Sequence, residues 1–222
     1  MPQRPKSIGV LLSGCGVRDG SEIHEAVCAL LAIDRAGARA VCLAPDRDQA
    51  GVTNHLTGQA QREARNVLVE SARIARGEIR DVAKACASEL DAVILPGGFG
   101  AARNLSDFAE AVAKAKADPG VAKLLREMHA AGKPIGALCI APAVLATVLG
   151  REVHPELTIG TDEGTGKALE AMGAKHVATP VTGIVVDRRN RIVTTACYML
   201  ATRISEVADG AEKVVRALLE MA

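Results

Sequence analysis

Lys133-Pro-Ile-Gly-Ala-Leu-Cys139-Ile-Ala-Pro142, followed at once by the helix-forming Ala143–Leu149, is the stretch that decides the fold. An apolar run enters, a single polarizable nucleophile closes it, and a proline opens the next element. That is the pattern of a strand–nucleophile–helix elbow, in which the nucleophile takes a strained backbone conformation and its side chain stands clear of the sheet. Strand and helix nearly touch at such a turn, so the positions two residues either side must be small. Ala137 and Ala141 meet that need, although the glycine of the usual signature is absent. Pro142 suits a first helical turn, where its missing N–H costs nothing. A thiol at a helix N-terminus feels the positive end of the dipole, which predicts a lowered pKa for Cys139 and thiolate at neutral pH. The alternative is a buried core cysteine among Val, Leu and Ala. The proline and the small neighbours favour the reactive thiol.

Short β-branched runs alternate with helical patterns on both sides of the elbow, as a parallel sheet with crossover helices requires. Ser7–Leu12 is expected as the first strand, Glu22–Ala36 as a helix ended by Gly37, and Ala40–Ala44 as the second strand. Ala92–Leu95, closed by Pro96-Gly-Gly98, is a third, and Pro134–Leu138 a fourth, reached through the helix Val121–Ala131. Leu157–Ile159 is a further short strand. Gly183–Asp187 and Arg191–Thr195 alternate like a hairpin and predict an antiparallel edge on a mostly parallel sheet. A helix from about Tyr198 to Leu219 completes the chain. Residues 46–89, polar around Gln59–Arg65, fit the sheet least well and are expected as an insertion at the C-terminal edge of the second strand.

A chain of 222 residues is most simply one α/β domain with a substantial core. Apolar residues make up 49%, yet aromatics only 1%: Phe99, Phe108 and Tyr198, with no Trp. The core must therefore be built from Ala, Val, Leu and Ile, and a nucleic-acid surface that works by base stacking is excluded. A net charge of +1, from 27 basic and 26 acidic residues spread along the chain, makes no electrostatic case for nucleic acid or membrane. No apolar stretch is long enough for a signal peptide or a membrane span. The six cysteines lie far apart, with no Cys-x-x-Cys pair and no His at ligand spacing. Neither a disulfide scaffold nor a metal site is supported, and reduced thiols in the cytoplasm fit best.

In an open parallel sheet, ligands bind outside the carboxyl ends of the strands, where strand order reverses. That rule brings Ser13-Gly-Cys-Gly-Val-Arg-Asp-Gly20 and Pro96-Gly-Gly-Phe-Gly100 to Cys139. Gly97 and Gly98 let the backbone approach a substrate, with N–H groups for a developing oxyanion, and the Ile140 amide supplies the second donor. An ordinary tight turn explains Pro-Gly-Gly equally well. Glu22 and Glu25 open the first long helix, where the dipole alone favours carboxylates. Glu25 also precedes the apolar run Ala26-Val-Cys-Ala-Leu-Leu-Ala-Ile33. A carboxyl there is expected to be buried, with a raised pKa, and able to bond the Cys139 sulfur or shuttle a proton. Cys15, between two glycines of the facing loop, is a second candidate thiol, with a turn cysteine of no role as the alternative. His24 points about a quarter turn away from Glu25. His55, His129, His154 and His176 show no route to Cys139.

A helix apolar all round must be covered on both faces. The sheet covers one face of Ala26–Ile33. A second subunit is the expected cover for the other, which predicts a homodimer, with the 46–89 insertion as the competitor.

Several segments together carry a family resemblance. They are Leu12-Ser-Gly-Cys-Gly-Val17, Asp19-Gly-Ser-Glu-Ile-His-Glu25, Asn54-His-Leu-Thr-Gly58, Ala75-Arg-Gly-Glu-Ile79, Pro96-Gly-Gly-Phe-Gly-Ala-Ala102, Gly136-Ala-Leu-Cys-Ile-Ala-Pro142 and Ile159-Gly-Thr-Asp162. From about Ser7 to Leu219 the chain resembles the ThiJ/PfpI superfamily, and within it the ElbB-like branch of isoprenoid- or enhancing-lycopene-biosynthesis proteins. The resemblance implies a single class I glutamine amidotransferase-like domain over residues 1–222, a flavodoxin-like three-layer α/β/α sandwich. It further implies a reactive elbow Cys139, a protonated Glu25 contacting its sulfur, and an oxyanion site from the Gly98 and Ile140 amides. ElbB-like members are described as cofactor-free glyoxalases, an activity linked to protein deglycation. Amidotransferase and peptidase relatives carry a His after the nucleophile or beyond the following strand. Here those positions hold Ile140 and fall near Thr161-Asp162, which argues against strong amidase chemistry.

The expected function is a glyoxalase-type lyase acting on glyoxal or methylglyoxal, needing no metal, nucleotide or glutathione. The alternatives are a redox or electrophile sensor with little turnover and an amidotransferase-like subunit.

Overall fold

Short aliphatic runs, buried on both faces, form the central sheet, as parallel strands flanked by helices must. The structure, a computed structural model, describes residues 4–222. Along the chain these are β1 (Ser7–Leu11), α1 (Ile23–Arg35), β2 (Arg39–Ala44), β3 (Val52–Thr53), β4 (Ala60–Gln61), α2 (Val67–Ile74), β5 (Ile79–Asp81) and β6 (Ala92–Leu95). Then follow α3 (Phe99–Arg103), α4 (Phe108–Ala111), α5 (Pro119–Ala130), β7 (Ile135–Leu138), α6 (Pro142–Val153), β8 (Glu156–Leu157) and α7 (Glu163–Ala171). The chain closes with β9 (Lys175–His176), β10 (Ile184–Asp187), β11 (Ile192–Thr195) and α8 (Ile204–Met221).

Seven strands of the described residues pair in the order β10-β11-β7-β6-β1-β2-β5. All pairings are parallel except β10 with β11, the antiparallel edge. Strand order reverses between β1 and β6: the chain steps from β1 outward to β2 and β5, and from β6 the other way to β7 and β11. The crevice of a doubly wound sheet opens at that reversal, beyond the carboxyl ends of β1, β6 and β7.

One face of the sheet packs under α1, α2 and α8, with Ala29, Ile33, Val67, Val214 and Leu218 in its core. The other packs under α5, α6 and α7, through Leu124, Leu125, Val144, Leu145 and Leu169. The result is a flavodoxin-like three-layer sandwich. Gly136 explains how closely α8 lies on β7, since a Cβ there would stand 2.9 Å from Leu218 Cδ1 and from Val214 Cγ1.

Three expectations change. Residues 46–89 are not wholly an insertion, because β5 pairs with β2, Cys42 opposite Ile79, and forms the sheet edge. The last helix starts at Ile204 rather than near Tyr198. Cys197–Met199 forms a separate 3-10 turn, entered at φ 40°, and Glu206 caps the true start by accepting from the Thr202 and Arg203 N–H groups at 2.9 and 3.2 Å. Most of the second face of α1 has a cover that neither expectation named. The chain's own α8 packs there, with Val207, Ala211, Val214 and Val215 buried.

Candidate active site

Cys139 follows β7 with φ 58°, in the left-handed region where a side chain costs about 1–3 kcal/mol. The turn is held from both sides: the Cys139 N–H donates to the Thr195 carbonyl at 2.9 Å, and the Ala141 N–H to the Leu138 carbonyl at 2.9 Å. Ala137 and Ala141 are fully buried beside it, and Pro142 stands at the first turn of α6. The backbone is the expected elbow.

Glu25 comes to this elbow from the first turn of α1, wholly buried. Its carboxylate accepts from the Gly97 N–H at 2.8 Å and from the Tyr198 N–H at 3.2 Å, and it lies beside Cys139. Gly97 separates the two groups so narrowly that a Cβ there would sit 2.6 Å from Cys139 Cβ and 2.8 Å from Glu25 Oε2. Gly98, at φ 92°, has the Glu22 N and the Gly20 carbonyl oxygen each 2.4 Å from where its Cβ would be. Both positions of Pro-Gly-Gly are thus closed to any side chain. Glu22 caps α1, its Oε2 accepting from the Glu25 N–H at 2.7 Å.

Burial pushes the Glu25 carboxyl up to about 7, with the Glu22 charge adding to the effect and the Gly97 and Tyr198 amides opposing it. The thiol moves the opposite way to the helix-dipole expectation. Burial, then the Glu25 charge, raise Cys139 well above the usual thiol range, while the Gly98 and Ile140 amides pull it down. Desolvation of a residue only 8% exposed outweighs half a charge of helix dipole. The two groups therefore compete for one proton, and a thiolate exists chiefly when Glu25 holds it.

A cavity of about 420 Å³ opens in front of the sulfur. Cys139, Ile140, Gly98 and Glu22 line it, together with Phe99, Phe108 and Tyr198. Three sequence candidates fall outside that set, Glu25 being wholly buried. Gly97 offers no free oxyanion donor, because its N–H is taken by Glu25. Cys15 is half-buried among Glu70, Arg73 and Asp19, and burial raises its thiol too. Sequence reasoning also missed a pair: the Tyr198 hydroxyl lies 2.7 Å from His24 Nδ1, so an exposed imidazole on α1 does reach a group lining the cavity. The two residues are 174 positions apart, and only the tertiary fold joins them. Among the described residues, no cluster of three or more His, Cys, Asp or Glu is placed to hold a metal ion, and no helix is long and apolar enough to cross a membrane.

Residues 16–202 match the DJ-1/PfpI family. The human glutamine amidotransferase-like class 1 domain-containing protein 3, mitochondrial, is 45% identical over all of this chain and 85% of its own length. The rat ES1 protein homolog, mitochondrial, is 43% identical over 98% of this chain and 85% of its own. Among solved structures, an isoprenoid biosynthesis protein with amidotransferase-like domain from Ehrlichia chaffeensis superposes with a TM-score of 0.91 at 36% identity, covering 97% of this chain and 100% of that one.

Proposed function

The chain belongs to the DJ-1/PfpI family, and from that premise we propose a cofactor-independent glyoxalase-type lyase that converts an α-oxoaldehyde to the hydroxy acid. The observation that carries the reading is the buried Cys139–Glu25 pair, a nucleophile beside a carboxyl that burial pushes up to about 7. A group poised there is suited to give and take a proton at neutral pH.

In this mechanism the Cys139 thiolate adds to the aldehyde carbon while Glu25 gives its proton to the new alkoxide, which the Gly98 and Ile140 amides hold. The Glu25 carboxylate then removes the proton from the adduct carbon, leaving an enediol. Return of that proton to the neighbouring carbon produces a 2-hydroxy thioester on Cys139. Water cleaves the thioester, restoring the thiol. The aldehyde carbon is oxidised and the keto carbon reduced within one molecule, so no external oxidant enters. Tyr198, bonded to His24, supplies a path for proton exchange with solvent.

Cys139→Ala is expected to abolish turnover, and rapid quenching of the wild-type protein should trap a hydroxyacyl adduct on Cys139 by mass spectrometry. Full turnover by Cys139→Ala would sink the mechanism. The sensor reading draws on the thiol alone. It predicts selective sulfinate at Cys139 under mild peroxide, with dicarbonyl turnover no better than a free thiol. The amidotransferase reading needs an imidazole against the sulfur, and no histidine is among the described residues lining the cavity. We also propose that the protein acts as a homodimer in a reducing compartment such as the cytoplasm, in keeping with its six free thiols.

A further inference from the structure

We propose that the site is built for an uncharged α-oxoaldehyde bearing an apolar group the size of a phenyl ring or a hexyl chain, rather than for glyoxal. The inference rests on the reading of Cys139 as a carbonyl-attacking thiol and names its substrate class.

The whole chain contains two Phe, one Tyr and no Trp, and all three aromatic side chains line the cavity in front of Cys139. Phe108, 8% exposed, also packs in the core, but the largest fully buried side chains are Leu, Ile and Met. Aromatic rings carry the largest apolar contact area a side chain offers, so their placement marks where apolar contact is wanted. Phe99 makes the point by its exposure. It opens α3 at the cavity mouth with 56% of its surface free, and its N–H bonds the carbonyl of Val17, itself 40% exposed and lining the same cavity. Two different loops thus hold apolar side chains toward water at one opening, an arrangement that costs free energy until something covers it.

Size points the same way. At roughly 30 Å³ per water-sized group, the four heavy atoms of glyoxal occupy only about a third of the 420 Å³. Charge narrows the class further. Among the described residues lining the cavity there is no Lys or Arg, while Glu22 is present and Glu25 lies behind the sulfur. A carboxylate or phosphate on the substrate would be desolvated opposite like charge with no counter-ion. The transformation is R–CO–CHO plus water to R–CHOH–COOH, with R remote from the bonds that change.

The test is kcat/KM for glyoxal, methylglyoxal, hexylglyoxal and phenylglyoxal, in the wild-type protein and in Phe99→Ala. Each buried methylene is expected to raise the value by about fourfold, and phenylglyoxal to exceed methylglyoxal by more than tenfold. Phe99→Ala should narrow the phenylglyoxal-to-methylglyoxal ratio several-fold. A second readout needs no turnover. Rates of Cys139 modification by N-phenylmaleimide, N-methylmaleimide and a carboxylated maleimide, each divided by its rate with free cysteine, should fall in that order. Dicarbonyl turnover with both series flat would overturn this inference and leave the lyase reading standing. The expected maleimide order with no dicarbonyl converted would overturn the lyase reading and keep the apolar site.

Discussion

Gly97 has no room for a side chain, and the reason is chemical as much as steric. Its missing Cβ leaves the space in which Cys139 and Glu25 approach each other, while its N–H anchors the carboxylate. A methyl group at that position must push one partner away. Gly97→Ala is therefore expected to lower stability by about 1–3 kcal/mol and turnover by roughly 10²-fold, read by thermal melting and by kcat on folded protein. Glu25 yields a prediction with a definite sign. Its pKa rises from 4.5 to about 7 on folding, so the native state binds this proton more tightly than the unfolded chain does. The corresponding stability is complete below pH 4.5 and is lost as pH climbs through 7, on the order of 3 kcal/mol in all. Glu25→Gln does not titrate. Melts of both proteins across that window should show the difference between them moving steadily in the variant's favour as pH rises. A constant difference would return Glu25 to an ordinary carboxyl. The same variant removes the charge that helps raise Cys139, so its thiol should alkylate at lower pH while turnover falls.

At the scale of elements, the features that could be read from the chain are those written in local pattern. The alternation in Ile184–Asp187 and Ile192–Thr195 announces a hairpin, and the elbow announces itself by a nucleophile between small residues and a proline. What was hidden depends on contacts remote in sequence. β5 is three residues long, too short for any period, and becomes a strand only because β2 presents an open edge. The raised thiol was hidden as well, since the dipole of α6 is local and visible whereas the burial that overrides it comes from α1 and the Pro-Gly-Gly turn. The late start of α8 belongs here too: residues Cys197–Met199 close as a separate 3-10 turn, whose Tyr198 N–H is given to Glu25 on α1. That turn places the Tyr198 hydroxyl on His24, and α1 thereby supplies the imidazole that the usual positions around Cys139 lack. Tyr198→Phe keeps the ring and loses the bond. If the pair moves protons, kcat should drop by about 10²-fold with little change in KM, and its pH profile should change shape. A change in KM alone would make Tyr198 no more than a cavity wall.

At the scale of the whole molecule, α8 covers one side of α1 and the sheet another, yet a third line remains open. Ile23, Val27 and Leu31 are 42%, 48% and 42% exposed, spaced four residues apart so that they form one stripe along the helix. A two-fold axis beside α1 would lay this stripe against its own copy, the commonest closed way to bury such a surface. Each apolar Å² removed from water contributes about 25 cal/mol before the cost of association, and a stable pair needs roughly 800 Å² per partner, so neighbouring side chains must join the three. The stripe also borders the site, because Ile23 lies between Glu22 and His24 on the same turn. Sedimentation at micromolar concentration should accordingly give twice the 23.0 kDa of one chain. Val27→Glu, which sets a charge in the stripe's centre at a half-exposed position, should return the protein to 23.0 kDa with its melting temperature little changed at high dilution. A wild-type species that sediments at 23.0 kDa would mean that the stripe faces water and that α8 alone completes the burial of α1.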